Sequence, residues 1–164
     1  MEIKMVTWLQ IPIDIERGYN LCFACGRDNP IGLKLDFKRD GKIARAEFTP
    51  SELYQGWSGI VHGGIITCLL DEAMAYAARF AGMNCITASM QVRLRRPALI
   101  GEPLIITASV IENKRRLVEV EANISLGDGT PVAEATATQF VIKPEPKKMN
   151  TRGKGARASA RTQG

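Results

Sequence analysis

The sequence predicts an α+β fold in which an antiparallel sheet wraps around one long central helix, and two observations carry this prediction. Apolar residues recur as pairs every four positions through residues 59–81, which is the spacing of a buried helical face. Four strand-like segments with short turns follow, which is typical of an antiparallel meander. A helix this apolar needs a covering layer, and the strands would supply it.

The predicted helix is 17 to 18 residues long and ends at Gly82, in the C-cap position. Its length is nearly sufficient to span a membrane. However, Asp71, Glu72 and Arg79 lie inside it, and charged side chains are costly in lipid. A core helix inside a folded domain is therefore the better interpretation.

Alternating apolar and polar residues predict the strands on both sides of the helix. Before the helix, Leu33, Leu35 and Phe37 alternate with polar residues, and Asp40-Gly41 predicts the turn of a hairpin. The predicted strands are 33–38, 43–48, 86–95, 104–111, 117–126 and 132–142.

Length and charge divide the chain into one domain, residues 1–142, and a basic tail, residues 143–164. A chain of 164 residues has the size of one domain with a proper core. Its net charge of +5 belongs to the tail, because the first 142 residues hold 15 basic and 16 acidic side chains. The N-terminal residues contain no long apolar run typical of a secretory signal or anchor, so we expect a cytoplasmic protein without a membrane partner.

The tail combines two prolines, several glycines and alanines, and no periodic apolar residues, which predicts a disordered, solubilising segment. Its seven basic residues also suit a weak contact with nucleic acid or an anionic surface. Because no aromatic residues lie among the basic ones, we expect no nucleic-acid partner.

The four cysteines allow either a metal site or reduced structural thiols. Cys22 and Cys25 have the spacing of half a zinc site, but zinc needs four ligands and the sequence holds no second pair. Cys68 lies in the predicted helix, and Cys85 follows its end. His62 is the only histidine, which excludes a site with two histidines. We therefore expect no metal, no cofactor, and reduced thiols that pack in the interior.

The start of the helix offers groups that suit the stabilisation of an oxyanion. Gly63 and Gly64 allow a ligand to approach the backbone closely, and the first amides of a helix have no partners within it. These amides and the helix dipole favour a negatively charged oxygen. Asp71 follows eight residues after Gly63, where a carboxylate is costly unless it has a task. Alternatively, the glycines only form a turn and Asp71 reaches solvent.

These residues resemble the hotdog-fold acyl-CoA thioesterases, and the nearest group is that of the phenylacetate-pathway and 4-hydroxybenzoyl-CoA enzymes. The string His62-Gly63-Gly64-x6-Asp71 carries the likeness, with Thr87-Ala88-Ser89 and Arg95-Arg96-Pro97 after it. The segment CFACGRDNPIGL, residues 22–33, also looks like a recurrent lead-in of this superfamily, where it is not a metal site. The resemblance covers residues 22–142 and implies a hotdog fold, acyl-CoA as substrate, and a homodimer or dimer of dimers.

The resemblance also implies roles for single residues. Asp71 would activate water or attack the thioester carbonyl, the Gly63 amide would polarise the carbonyl oxygen, and His62 would orient that carbonyl. Thr87 would position the water. Many relatives have an asparagine or glutamine a few residues before the histidine, and the candidate here is Gln55, seven residues upstream. The other substrate-binding candidates are Gly64, Trp57, Ser89, Arg95 and Arg96, although for an aromatic residue such as Trp57 packing against the core is the favoured interpretation.

Glu72, next to Asp71, points about 100° further round the helix and is interpreted as a structural or solvent-facing carboxylate. Two other functions remain open, namely a hotdog dehydratase or hydratase and a non-catalytic acyl-CoA-binding or regulatory module, because function depends on the site and not on the fold. The spacing adds one geometric prediction. Gly63 and Asp71 are about 12 Å apart along a helix, so each active site would combine Gly63 of one subunit with Asp71 of its two-fold partner.

Overall fold

A computed structural model describes residues 18–142, in which one long helix packs against a six-stranded antiparallel sheet. The α+β architecture predicted from the sequence is confirmed. The predicted tail lies outside the described residues. The elements are β1 (Lys38–Asp40), β2 (Ile43–Phe48), a short 3-10 helix (Glu52–Tyr54), α1 (Gly63–Phe80), β3 (Cys85–Leu94), β4 (Leu104–Lys114), β5 (Leu117–Leu126) and β6 (Pro131–Val141).

Helix α1 is fixed by a cap at each end and by one buried face. His62 is the N-cap, and its Nδ1 accepts a hydrogen bond from the Gly64 amide at 2.9 Å. At the other end Gly82 follows the C-cap residue with φ of 85°, a left-handed conformation that glycine adopts without strain. The predicted helix and its end are therefore confirmed. Its buried residues are Ile66, Leu69, Leu70, Ala73, Met74, Ala77 and Ala78.

The strand order is β1-β2-β4-β5-β6-β3. The predicted meander is correct for β4, β5 and β6 and wrong for β3, which lies beside β6 at the edge of the sheet. The reason is the connection of residues 95–103, which is too long for a tight turn. Its first residue continues along β6, since the Arg95 amide donates to the Val132 carbonyl at 2.8 Å, and Leu99 then forms a bridge with Ile60.

The predicted hairpin is present as β1 and β2, but its first strand begins only at Lys38, so the predicted strand is wrong for residues 33–37. The alternation that suggested it is real. The side chains of Leu33, Leu35 and Phe37 are buried and the residues between them are exposed. However, the amides of Leu33 and Leu35 donate to the carbonyls of Phe23 and Ala24, so this segment pairs with the preceding loop instead of the sheet. Alternation reports burial on one side of an extended chain, and it does not reveal the hydrogen-bond partner.

The core fills the space between α1 and the inner face of the sheet. Leu69, Leu70 and Met74 of the helix are fully buried against Leu104 of β4 and Val120 of β5. Each such side chain contributes about 1.5–3 kcal/mol by leaving water. This packing fixes the rotation of α1, and it therefore determines which helix residues face β3.

Candidate active site

Asp71 of α1 and Thr87 of β3 form the central contact of the site. The Thr87 hydroxyl donates a hydrogen bond to Asp71 Oδ1 at 2.6 Å, which is the short distance of a bond to a charged acceptor. Both residues are half-buried. The structure thus brings together two of the four residues that the resemblance assigned to catalysis.

A bulge in β3 directs Thr87 toward the helix. The pairing of β3 with β6 shifts between Thr87 and Ser89, so that Ala88 is an extra residue in the strand. Met90 and Val92, at even positions, pack against the core. In a regular strand Thr87, at an odd position, would point to the opposite face. Sequence alternation alone placed Thr87 on the face opposite Met90, and the bulge is the reason that it was wrong.

Gln139 is a residue of this site that the sequence analysis missed. It lies directly opposite Thr87 on the neighbouring strand β6, and its Nε2 donates to the Thr87 hydroxyl at 3.3 Å. Its side chain is 0% exposed. A signal was present in the sequence, because Ala133, Ala135 and Ala137 share one face and the alternation places Gln139 on the same core-facing side.

The N-terminus of α1 presents one free amide. The Gly64 amide is occupied by His62 Nδ1, while the Gly63 amide, as the first of the helix, has no acceptor among residues 18–142. Because His62 Nδ1 accepts a hydrogen bond, the proton of the neutral ring lies on Nε2. His62 is exposed, so this Nε2–H group is available as a second donor.

A cleft of about 370 Å³ opens next to Gly63. Trp57 lies on its rim and is 82% exposed, so it does not pack in the core of the chain. Leu94 of β3 contributes a second exposed apolar side chain. The other lining residues are Ile60, Val61, Ile66, Arg95, Arg96, Pro97 and Ala98.

The two arginines at the cleft are each held by an acidic residue. Arg95 forms an ion pair with Glu134 of β6, and Arg96 pairs with Glu102 at 3.3 Å. These pairs fix the arginines in place and partly neutralise their charge. All of the partners are partly exposed, so the ion pairs themselves add little stability.

Two other predicted substrate-binding residues do not line this cleft. Gln55 Oε1 accepts from the Gly59 amide at 3.2 Å, which closes the loop before α1, and the Gln55 backbone forms a bridge with Val61, which does line the cleft. Ser89 is exposed and lines a separate groove with Gln91 and Thr136. Gln55 therefore borders the loop that carries Trp57, whereas Ser89 lies in another groove.

A second cluster joins Cys22 and Cys25 to Glu72. Their potential ligand atoms lie within 4.8 Å of one another, and the Cys22 thiol donates to both Glu72 oxygens at 3.8 Å. These three groups could hold a metal, but a closed zinc site needs a fourth ligand. Burial raises the pKa of Glu72 above its usual range and that of Cys25 to about 12. Glu72 is thus partly buried against thiols instead of facing solvent.

The chain is similar to known proteins of the thioesterase superfamily. Residues 58–133 match the family model described as the thioesterase superfamily. Protein RHA08564, a thioesterase superfamily protein of known structure, is 27% identical, with 72% of this chain and 61% of that chain covered and a TM-score of 0.68. The PaaI protein of the Escherichia coli phenylacetic acid degradation operon is 23% identical over 68% of this chain and 81% of its own, with a TM-score of 0.63.

A hypothetical thioesterase from Streptococcus pneumoniae is a third structural neighbour. It is 17% identical over 66% of this chain and 85% of its own, with a TM-score of 0.62, and its structure contains coenzyme A. Two further structures of it carry an aspartate-to-alanine and a threonine-to-alanine substitution at positions 16 residues apart. An uncharacterised protein of Schizosaccharomyces pombe is 29% identical over 69% of this chain. The chain spans 66% of the length of that protein and 61% of the length of RHA08564.

The resemblance to the hotdog-fold thioesterase superfamily is confirmed by the family match and by these neighbours. The sheet wrapped around one long helix is the hotdog fold. Within residues 18–142, no helix is long and apolar enough to cross a membrane.

Proposed function

We propose that this protein is an acyl-CoA thioesterase that hydrolyses a thioester to a free carboxylic acid and coenzyme A. The hydrogen bond between Thr87 and Asp71 carries the proposal, because it holds a half-buried carboxylate in one orientation. The two substituted positions of the pneumococcal thioesterase support it. They are an aspartate and a threonine 16 residues apart, and Asp71 and Thr87 have the same separation.

Asp71 acts as the general base or as the nucleophile. As a base it takes a proton from water, and the hydroxide attacks the carbonyl carbon. The carbon–sulfur bond then breaks, and the proton held by Asp71 passes to the leaving thiolate. As a nucleophile it attacks the carbonyl carbon and displaces the coenzyme A thiolate, which forms a mixed anhydride that water then hydrolyses. Thr87 orients the carboxylate, and it positions the water in the first case. In both cases the Gly63 amide of the partner subunit donates to the oxyanion and the partner's His62 Nε2–H orients the carbonyl, because Gly63 and Asp71 of one chain are too far apart along α1.

The cleft beside Gly63 receives the thioester end of the substrate. Its apolar rim, Trp57 and Leu94, suits the acyl chain or the pantetheine arm, and Arg95 and Arg96 suit the phosphates of coenzyme A. Gly64 contributes through its bond to His62, which fixes the imidazole. The coenzyme A in the pneumococcal neighbour supports this class of ligand.

A homo-oligomer completes the site. β3 ends the sheet with ten residues, and its outer edge has no partner strand among the described residues, which suits pairing with a second copy. Thr87 and Leu94 both lie on this strand. A second copy placed along β3 would therefore adjoin both Asp71 and the cleft.

The test compares Asp71→Asn with Glu72→Gln on the same helix. Both changes replace a carboxylate by the matching amide at adjacent positions, but only Asp71 contacts Thr87. We expect Asp71→Asn to lower kcat about 10²- to 10⁴-fold and Glu72→Gln to leave it nearly unchanged. Release of coenzyme A is followed with a thiol reagent, using short, long and aryl acyl-CoAs.

Other outcomes would replace the proposal. If wild type releases no thiol from any of these substrates but hydrates an enoyl-CoA, the protein is a hydratase. Binding of acyl-CoA without turnover would make it a binding or regulatory module. If Asp71→Asn retains most of the wild-type kcat, Asp71 has no part in the reaction.

A further inference from the structure

We propose that Gln139 is a positioning residue that fixes the Thr87 hydroxyl as a donor to Asp71. This inference rests on the proposed function, because it assigns a further role within the same site. It follows from three hydrogen-bonding groups in a row, one each on β6, β3 and α1.

The direction of these hydrogen bonds follows from a count of protons. The Thr87 hydroxyl has one proton, and the 2.6 Å contact with Asp71 Oδ1 uses it. Thr87 must therefore accept from Gln139, and only the amide nitrogen of Gln139 can donate. With its amide nitrogen facing the hydroxyl, Gln139 thus offers Thr87 no acceptor that competes with the Asp71 carboxylate.

The burial of Gln139 makes this arrangement stable. An amide side chain that is 0% exposed loses its hydrogen bonds to water, so its one protein bond is costly to break. Its Oε1 has no partner among the described residues. A buried amide whose oxygen lacks a hydrogen bond destabilises the fold relative to an apolar side chain of the same size. The contact with Thr87 is what this amide provides in return.

The position in the sheet adds a mechanical reason. Gln139 is the direct cross-strand neighbour of Thr87, at the residue where the bulge of β3 begins. A bulge interrupts the regular ladder and leaves the local strand less constrained. At Gln139 the pairing of β6 with β5 is regular, so the bond from Gln139 restores that constraint at the residue that contacts Asp71.

The experiment is a double-mutant cycle on thioester hydrolysis with Gln139→Met and Thr87→Val. Methionine has nearly the shape of glutamine without its hydrogen bonds. We expect Gln139→Met alone to lower kcat about 2- to 10-fold with KM within about twofold, the range of one neutral hydrogen bond. In the Thr87→Val background, Gln139→Met should cause no further loss, because Gln139 acts through the Thr87 hydroxyl.

Two controls keep the result interpretable. Gln91→Met makes the same replacement at an exposed position of β3 and should leave kcat unchanged. If Gln139→Met does not fold, Gln139→Asn withdraws the amide by one carbon and is used in the same cycle. Equal losses in both Thr87 backgrounds, or a loss confined to KM, overturn the role of Gln139. Absence of thioesterase activity in wild type overturns the proposed function instead.

Discussion

Mixing two inactive variants tests whether each active site combines two subunits. The variants are Asp71→Asn, which removes the carboxylate, and Gly63→Pro, which removes the free amide. Proline suits position 63 because Gly63 is the first helical residue, where proline is tolerated. The preceding residue, His62, already has φ of −60° and ψ of 131°, which is the conformation that a following proline requires. A Cβ at position 63 would meet only the Leu94 side chain, at an ordinary 3.4 Å.

The distance argument comes from the geometry of α1. Eight residues separate the Gly63 amide from Asp71 by about 12 Å along the axis and about 80° around it. The Asp71 side chain leans toward the helix N-terminus and recovers about 3 Å at most. A hydrogen-bonded carbonyl under direct attack spans only about 7 Å. An intervening water extends this to about 10 Å, but only with all atoms in one line, which the rotation around the axis prevents.

The expected recovery follows from two-fold symmetry. Random exchange at equal amounts makes half of the dimers mixed, and each mixed dimer has one intact and one doubly damaged site. About a quarter of wild-type activity should therefore return. The measurement is thiol release after subunit exchange, with mixed dimers counted by native mass spectrometry. Mixed dimers without activity would place the whole site within one chain and refute the distance argument.

Two further predictions concern buried titratable groups. Burial raises the folded-state pKa of Glu72 above its value in the unfolded chain. The contribution of protonated Glu72 to the free energy of unfolding is therefore fully present below the ordinary glutamate pKa, and it is lost as the pH rises through the folded-state pKa. The Tm of Glu72→Gln relative to wild type should thus increase from pH 5 to pH 8, and a constant difference would contradict this. Burial also raises the pKa of Cys25 to about 12 and of Cys68 and Cys85 to about 11. At pH 8 these three thiols should react with iodoacetamide at least about 100-fold more slowly in the folded than in the unfolded protein, as mass spectrometry of the peptides would show.

The elements of the fold that depend on local patterns were predictable from the sequence. The helix has a period and a glycine after its end, and both signals agree. Its N-cap, His62, was not predictable, because histidine is not among the residues preferred at that position. The strands β4, β5 and β6 alternate and are joined by short turns. The position of β3 was not predictable in this way, because the partner of a strand after a nine-residue connection is a matter of long-range packing.

The Cys22 and Cys25 cluster shows a similar limit for side chains. The sequence reveals the spacing of the two thiols, but their third partner, Glu72, is 50 residues from Cys22 along the chain. Only the packing of the 22–33 segment on α1 brings these groups together. The sequence left Glu72 as either structural or solvent-facing, and its contact with Cys22 agrees with the structural interpretation. Helical rotation could not decide between the two, since it gives a direction and not what lies there.

Part of the candidate site follows from local sequence patterns and part from long-range packing, and Thr87 belongs to the second part. The helix residues Gly63 and Asp71 follow from spacing on one element. Thr87 faces Asp71 only because one extra residue interrupts the alternation of β3, and no turn residue marks that bulge in the sequence. Gln139 then becomes meaningful, because the same amide on a core-facing strand position would otherwise be an unexplained cost. The residue that broke the hydrophobic pattern of β6 is therefore the one that contacts Thr87, the proposed partner of Asp71 in the reaction.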